Sequence, residues 1–351
     1  MSDYYTLKVK EVVNETADTV TIHFKQPLFK KVKYKSGQFL TLIVPINGKK
    51  ERRSYSMSSA PSLDNTVAIS VKRVEGGLVS NYLNDNVQAG DTIEVMEPLG
   101  NFVFEPDKKR TRHLVLFGGG SGITPLISML KTALFLEPNS TVSLVYCNRS
   151  EDSIIFAKQL DDLKVKFGDR LNIVHNLTKP GANWGGYSGR LDDARTVNIL
   201  NLLPKLPAED TEYYLCGPEG MMDAVKTGLK TRKVSASKIH TESFVSTITA
   251  EELAEATGDI ETQTVKIIMD GQTHEVLVRP NQSILEAGLD DGLDMPFSCQ
   301  SGLCTACMGK CKAGTIKMID ADGISEDEIN KGYVLLCVGH PLTADVEVEI
   351  E

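Results

Sequence analysis

Three cysteines fall within nine residues, Cys299-x4-Cys304-x2-Cys307, and a fourth, Cys337, follows thirty residues later. Four thiolates at this spacing restrict the fold severely: one tight loop must wrap a small centre while the fourth ligand arrives from another part of the same domain. The C-x4-C-x2-C…C pattern is that of a [2Fe-2S] site. The loop Phe297-Ser298-Cys299-Gln300-Ser301-Gly302-Leu303-Cys304-Thr305-Ala306-Cys307 carries small residues at 301, 302, 305 and 306, which lets backbone amides approach sulfur closely. The alternatives are a zinc site or unrelated core thiols. Zinc knuckles come as paired C-x2-C steps, and the chain has one such step.

The remaining cysteines read differently. Cys311, in the alternating run Met308-Gly309-Lys310-Cys311-Lys312, is expected as a buried, unligated strand thiol, and Cys147, ending an apolar run, as core. Seven cysteines in 351 residues, four of them clustered, do not form a disulfide framework. The chain shows neither an N-terminal apolar signal region nor an apolar run long enough to cross a bilayer, so the expectation is a soluble, cytoplasmic protein. The net charge of −9 is unevenly spread. Residues 262–351 hold 15 acidic and 6 basic side chains, a balance of −9, and five further carboxylates between 251 and 261 leave the remainder at +5. An acidic rear and a basic front favour electrostatic docking, within the chain or with a partner. No basic run with interleaved aromatics points to nucleic acid.

From residue 4 to 105 the pattern is of short β-strands between turn residues: Val20–Phe24, Phe39–Val44, Val67–Val71 and Thr92–Val95. A small antiparallel barrel is the natural arrangement. From 110 the rhythm becomes strand and helix in alternation. The strand His113–Phe117 leads into Gly118-Gly119-Gly120-Ser121-Gly122-Ile123-Thr124-Pro125 and a helix over Leu126–Phe135. Strand Val142–Cys147, a helix near Ile154–Phe167, strand Asn172–His175 and strand Tyr213–Cys216 before Gly217-Pro218 complete a doubly wound α/β domain. A glycine-rich turn between the first strand and helix of such a domain receives a dinucleotide pyrophosphate, although the last position here is not the glycine of G-x-G-x-x-G.

Arg53-Ser54-Tyr55-Ser56, Gly77-Leu78-Val79-Ser80, Gly118 to Pro125 and Cys216-Gly217-Pro218 occur in the order found in the ferredoxin-NADP reductase family. With the cysteine-rich segment behind them, the chain resembles that family's oxygenase-reductase branch, which carries a C-terminal plant-type ferredoxin domain. Within the branch it resembles the reductase subunits of phenylacetyl-CoA epoxidase systems, with comparable segments at 239–244 and 332–337. The resemblance implies an FAD-binding β-barrel at 1–107, an NAD(P)-binding α/β domain at 108–244, a linker at 245–261 and an α+β (β-grasp) ferredoxin domain at 262–351. In the linker, Ile248-Thr249-Ala250-Glu251-Glu252 resembles a capping box, consistent with a short helix up to Gly258.

The resemblance also assigns roles. Arg53 pairs with the flavin pyrophosphate, Tyr55 packs against the isoalloxazine, Ser56 hydrogen-bonds its edge, Gly77 and Ser80 hold flavin phosphate, and Ser54, Leu78 and Val79 belong to the same cofactor-binding segments. Gly119, Gly120, Gly122, Thr124 and Gly217 frame NADP(H), with NAD(H) as the weaker candidate. Cys216 positions the nicotinamide, and Glu242 and Phe244 close over the flavin. Ser56, Cys216 and Glu242 are the expected catalytic residues, and Cys299, Cys304, Cys307 and Cys337 the iron ligands. Taken one at a time, Arg53 reads equally as a surface ion pair, Tyr55 as a strand aromatic and Ser80 as a helix cap. Thr178-Lys179 stands where the resemblance places a hydroxyl residue and an arginine for the 2′-phosphate, but lysine lacks the bidentate fork, and Arg149 and Arg190 read equally as added charge or as ordinary exposed residues. The implied acceptor is an oxygenase, steered in part by Asp320, Asp322, Glu326, Asp327 and Glu328, residues that would equally suit a solvated helix start. Other acceptors (a ring-hydroxylating dioxygenase, a steroid hydroxylase, a desaturase, a hybrid-cluster protein) fit the same electron chain, and a non-catalytic redox-sensing scaffold is the alternative of a different class.

Overall fold

The computed structural model describes residues 4–205, 210–244, 261–280, 282–321 and 323–350. They fall into two compact units, the first taking in 4–98 and 102–244, the second the residues from 261 onward. The expected linker helix and Asp322 lie outside the described residues. Among the described residues no helix is long and apolar enough to cross a membrane.

The first unit opens with six strands, β1 (Tyr4–Thr16), β2 (Thr19–Lys25), β3 (Phe39–Ile46), β4 (Lys49–Ser56), β5 (Thr66–Lys72) and β6 (Thr92–Met96). They pair antiparallel in the order β4-β3-β6-β1-β2-β5. A bridge between Met57 and Ile69, with Ser58 N–H donating to Ala68 O at 2.8 Å, closes the sheet into a barrel. Leu7, Ile22, Phe24, Leu40, Leu42, Ile69 and Val95 fill it and are fully buried. Two strands escape the hydrophobic pattern. β1 loses its alternation at register shifts between Val9 and Glu11 and between Asn14 and Thr16. β4, Lys-Lys-Glu-Arg-Arg-Ser-Tyr-Ser, is polar almost throughout and is a strand because it hydrogen-bonds along the whole of apolar β3, from Phe39↔Ser56 to Ile46↔Lys49. Helix α1 (Leu78–Asn86) packs on the barrel through Val79 and Leu83.

The α/β part has a parallel sheet of β7 (His113–Gly119), β8 (Thr141–Asn148), β9 (Leu171–Leu177), β10 (Tyr187–Ser188), β11 (Thr211–Cys216) and β12 (Ile239–Glu242), in the order β10-β9-β8-β7-β11-β12. Strand alternation divides its core in two. Leu114, Leu116 and Leu144 face α2 (Ile123–Leu136) and α3 (Ala157–Phe167), while Val115, Phe117 and Val145 face α4 (Asp193–Leu202) and α5 (Glu219–Thr231). The order reverses at β7, and the crevice beyond such a switch point is where ligands bind. Helix α3 begins three residues later than the sequence pattern places it, because Phe156 takes φ 63° and a left-handed residue cannot continue a right-handed helix.

The second unit is a β-grasp: a mixed sheet β14-β13-β17-β15-β16, with β13 (Gln263–Met269) parallel to β17 (Glu347–Ile350) and the sheet completed by β14 (Gln272–Val278), β15 (Met308–Ala313) and β16 (Tyr333–Leu335). Helix α6 (Ile284–Asp290) covers one face, packing Ile284, Leu285 and Ala287 with Val265, Ile267 and Val276. Ser283 starts it with a capping box, its hydroxyl accepting Glu286 N–H while Glu286 accepts Ser283 N–H. The acidic residues Glu326, Asp327 and Glu328 form the first turn of α7 (Glu326–Asn330), where Glu328 accepts from Ser325 N–H and Oγ; these carboxylates complement the helix dipole. Cys311 corrects the sequence reading. It lies on β15 half-buried, packed against the core only in part, with its thiol donating to Ala313 O at 3.3 Å. Cys147 is likewise at the core's margin, with its thiol pushed up to about 12 by burial.

Candidate functional site

Three segments far apart in sequence meet where the barrel adjoins the parallel sheet. Ser56, the last residue of β4, is buried and donates its hydroxyl to Glu242 Oε2 at 3.2 Å. Glu242 ends β12 and is 6 % exposed. Cys216 ends β11, in register with Glu242 on one side and Gly118 on the other, and is fully buried. Burial, with Glu242 adding to it, pushes its thiol well above the usual range. Cys216 is therefore a neutral thiol near pH 7, suited to packing rather than to nucleophilic attack.

The glycine turn is shaped by contact with the end of β11. A Cβ on Gly122 would meet Cys216 O at 2.1 Å, and one on Gly119 would meet Pro218 Cδ at 2.6 Å. Gly217 approaches Gly119 backbone to backbone, its own ideal Cβ 2.9 Å from Gly119 N. Gly120 has φ 53°, which favours glycine, and a Cβ there would meet open space. This is a cradle only glycine can form, opening onto the N-terminus of α2 and suited to a dinucleotide pyrophosphate. Thr124 is buried and its hydroxyl donates to Ser121 O at 3.0 Å, so its oxygen shapes the turn. Tyr146, which reads in sequence only as part of an apolar strand, donates its hydroxyl to Gly120 O at 3.0 Å and supports the turn from behind.

On the barrel side, Arg53 is exposed and, among the described residues, has no ion-pair partner; its Nη1 donates to Arg52 O. An unpaired guanidinium on a rigid strand suits an anionic pyrophosphate. Tyr55 is half-buried, its hydroxyl pushed up to about 12 by burial. Ser54 Oγ lies 2.9 Å from Thr41 Oγ1 on β3. Gly77 caps α1, with a Cβ there meeting Ser80 Oγ at 2.7 Å. Ser80 Oγ accepts Val74 N–H at 3.1 Å, closing the loop before the helix, while Val79 is buried and Leu78 half-exposed. Phe244 is 46 % exposed.

At the far end of the sheet, Lys179 N–H donates to Arg149 O at 2.7 Å and Thr178 N–H to Asn148 O at 3.0 Å. These bonds gather Arg149, Thr178 and Lys179 at the C-terminal ends of β8 and β9. They and Arg190 are exposed, and among the described residues none of the three cations pairs with a carboxylate.

In the β-grasp unit the four cysteines converge. Cys299 and Cys304 sulfurs lie 3.2 Å apart, and Cys337 is within hydrogen-bonding reach of Cys299 and Cys307. Leu336 N–H donates to Cys307 O at 3.1 Å, which brings the fourth ligand to the loop. Cys299 Sγ accepts from Leu303 N–H at 3.3 Å and Ser301 N–H at 3.5 Å. Donation from Cys304 first and Cys337 second holds the Cys299 thiol well below its usual range. Four converging sulfurs, one of them accepting two loop amides, fit an iron-sulfur core. Gly302 (φ 71°) and Gly323 let the loop and the 320–323 segment touch: a Cβ on Gly302 would meet Asp320 O at 2.2 Å, and one on Gly323 would meet Cys304 N at 2.4 Å. Gly323 carries no signal in the sequence, since its need arises from a contact across the fold.

Three family models match the chain: an oxidoreductase FAD-binding domain over residues 6–104, an oxidoreductase NAD-binding domain over 116–227 and a 2Fe-2S iron-sulfur cluster binding domain over 267–342. The chain is similar to one of the subunits of 1,2-phenylacetyl-CoA epoxidase from Escherichia coli (strain K12), 34% identical across 100% of this chain and 99% of that one. It is similar also to the ferredoxin reductase component of 3-ketosteroid-9-alpha-monooxygenase from Rhodococcus rhodochrous, 36% identical across 98% and 96% of the two chains. Among solved structures it resembles phthalate dioxygenase reductase, a modular structure for electron transfer from pyridine nucleotides to [2Fe-2S], with TM-score 0.63, 26% identity and coverage of 99% and 98%.

Proposed function

The chain belongs to the ferredoxin-NADP reductase family, in the oxygenase-reductase branch with a [2Fe-2S] domain, and on that premise we propose that it carries electrons from NADPH to the phenylacetyl-CoA ring epoxidase of phenylacetate catabolism. It is an NAD(P)H-dependent electron-transfer reductase with FAD-binding, NAD-binding and [2Fe-2S]-binding domains. We take these domains as 1–107, 108–244 and 262–351, joined by a linker at 245–261.

When bound, FAD supplies the conversion of a two-electron hydride into single electrons, and the [2Fe-2S] centre supplies their exit. The observation that carries the reading is the meeting of Ser56, Glu242 and Cys216 beside a glycine-only turn. Ser56 holds a proton at Oγ, donated to Glu242 Oε2, and would offer it to the edge of a bound flavin. Cys216, neutral and buried, would pack against the nicotinamide and position it. Arg53 binds the flavin pyrophosphate, Tyr55 supports the ring, and the Gly77–Ser80 helix start takes phosphate. Gly119, Gly120, Gly122, Thr124 and Gly217 orient the dinucleotide, with Phe244 covering the flavin. Arg149, Thr178 and Lys179 receive the 2′-phosphate, which favours NADPH over NADH. Cys299, Cys304, Cys307 and Cys337 ligate iron.

Stopped-flow reduction by NADPH, followed by mixing with candidate oxygenases, tests the acceptor. Fast cluster reoxidation by a phenylacetyl-CoA epoxidase core is expected; equally slow reoxidation with and without that core removes the assignment. A ketosteroid monooxygenase is the second reading, supported by a relative of similar identity over a similar length. The same mixing experiment separates the two.

A further inference from the structure

Lys131 stands in the middle of α2, an otherwise largely apolar helix, and is only 8 % exposed. A buried ammonium is costly unless paired. Its Nζ donates to Asp64 Oδ2 at 2.6 Å, and the same carboxylate oxygen accepts Ala60 N–H at 2.7 Å. One turn earlier Ser128, fully buried, donates its hydroxyl to Ser59 O at 2.7 Å, and Thr132 Oγ1 lies 2.5 Å from Ser36 Oγ. Residues 128, 131 and 132 are three and four apart, so they form one polar stripe, and Thr124 extends that stripe to the start of the helix.

Both ends of this arrangement lead to the candidate site. The N-terminus of α2 is the glycine turn. The barrel partners Ser59, Ala60 and Asp64 lie in the segment that runs on directly from Ser56. The stripe thus joins the segment continuing the flavin strand to the helix that carries the nucleotide turn. The approach is close: a Cβ on Gly37 would meet Met129 Cε of the same helix at 2.4 Å.

We propose that the Lys131–Asp64 pair, with Ser128 and Thr132, sets the distance and angle between the Ser56 strand end and the glycine turn, and so between hydride acceptor and hydride donor. These are positioning residues, and the proposal rests on the cofactor reading above. Lys131 is eight residues from Ile123, about 12 Å along a helix. A tilt of about five degrees over that length moves the turn by about 1 Å, and misplacement on that scale costs up to about 10²-fold in rate.

The test uses the full-length holoprotein and the variants Lys131→Met, Asp64→Asn and the pair together. Bound FAD and the KM for NADPH should stay at wild-type levels, while single-turnover flavin reduction slows about 10- to 100-fold. The long-wavelength charge-transfer absorbance of the flavin with nicotinamide should weaken in step. The double variant should be no slower than either single one, and Lys131→Arg should recover part of the rate. A lowered melting temperature with wild-type rate and charge-transfer absorbance in Lys131→Met would make the pair purely structural and overturn the proposal. Should that variant not fold, Ser128→Ala, which removes one hydrogen bond, decides by the same two readouts. A wild-type protein that binds no FAD would instead remove the cofactor reading, and this proposal with it.

Discussion

The Ser56 hydroxyl reaches Glu242 Oε2 at 3.2 Å across 186 residues of sequence, and both side chains are buried. Neither residue means much without the other: a strand-end serine is an ordinary turn residue, and a buried carboxylate needs a donor. Replacing the carboxylate by an amide of the same shape removes the acceptor charge and leaves the packing. Glu242→Gln is expected to slow flavin reduction by NADPH about 10²-fold, the lower range for a positioned acid–base group. FAD content should be retained, and Ser56→Ala added to it should cost little more. Wild-type stopped-flow rates in both variants would show that the pair serves packing alone.

The cysteine loop is the electron exit, so its loss should uncouple one assay from another. Cys304→Ser is expected to abolish cytochrome c reduction while ferricyanide reduction, which flavin performs directly, continues. The visible absorbance of the cluster should disappear while that of the flavin stays. Equal loss of both activities would argue against the order of transfer proposed above.

Lys179 is held beside Arg149 by its own backbone bond, so it can be changed without moving the strand. Lys179→Ala should lower kcat/KM for NADPH about tenfold, the scale of one charge-assisted contact, and leave NADH unaffected. An equal fall with both nucleotides would place the lysine away from the 2′-phosphate.

Stability at acid pH should depend on a different cluster. Arg112, 3 % exposed, donates Nη2 to Glu137 Oε1 at 2.6 Å and Nη1 to Glu212 Oε1 at 3.1 Å. Burial acts to raise the Glu212 carboxyl, but the charges and hydrogen bonds led by Arg112 outweigh it and hold the group below its usual range. A depressed folded-state value contributes stability that is present at neutral pH and is lost as pH falls through that value. Melting temperatures should therefore decline below about pH 4.5, and Glu212→Gln should flatten the decline. Arg112→Ala takes the ion-pair partner from the buried Glu137 carboxylate and should cost about 3–5 kcal/mol, measured by chemical denaturation.

Much of the architecture was legible because the sequence carries local periodicity. β2, β3, β5 and β6 appeared within a few residues of their positions because alternating or continuous apolar runs need no partner to be recognised. β4 was not visible as a run, since its side chains are polar almost throughout and hydrogen bonding to β3 makes it a strand. Cys311 was misread for the related reason that alternation locates a strand but not the edge of the core.

What the chain determines by itself is chemistry with short spacing: the cysteine loop, the glycine turn and the order of the motifs that mark the family. Spacing of that kind survives in sequence because the ligand constrains neighbouring residues together. Only the tertiary structure decided that Ser56, Cys216 and Glu242 share one seam, that Gly323 must be glycine, and that Lys131 is paired. Each of those depends on a contact between distant segments, where burial and hydrogen-bond satisfaction, rather than local propensity, select the residue.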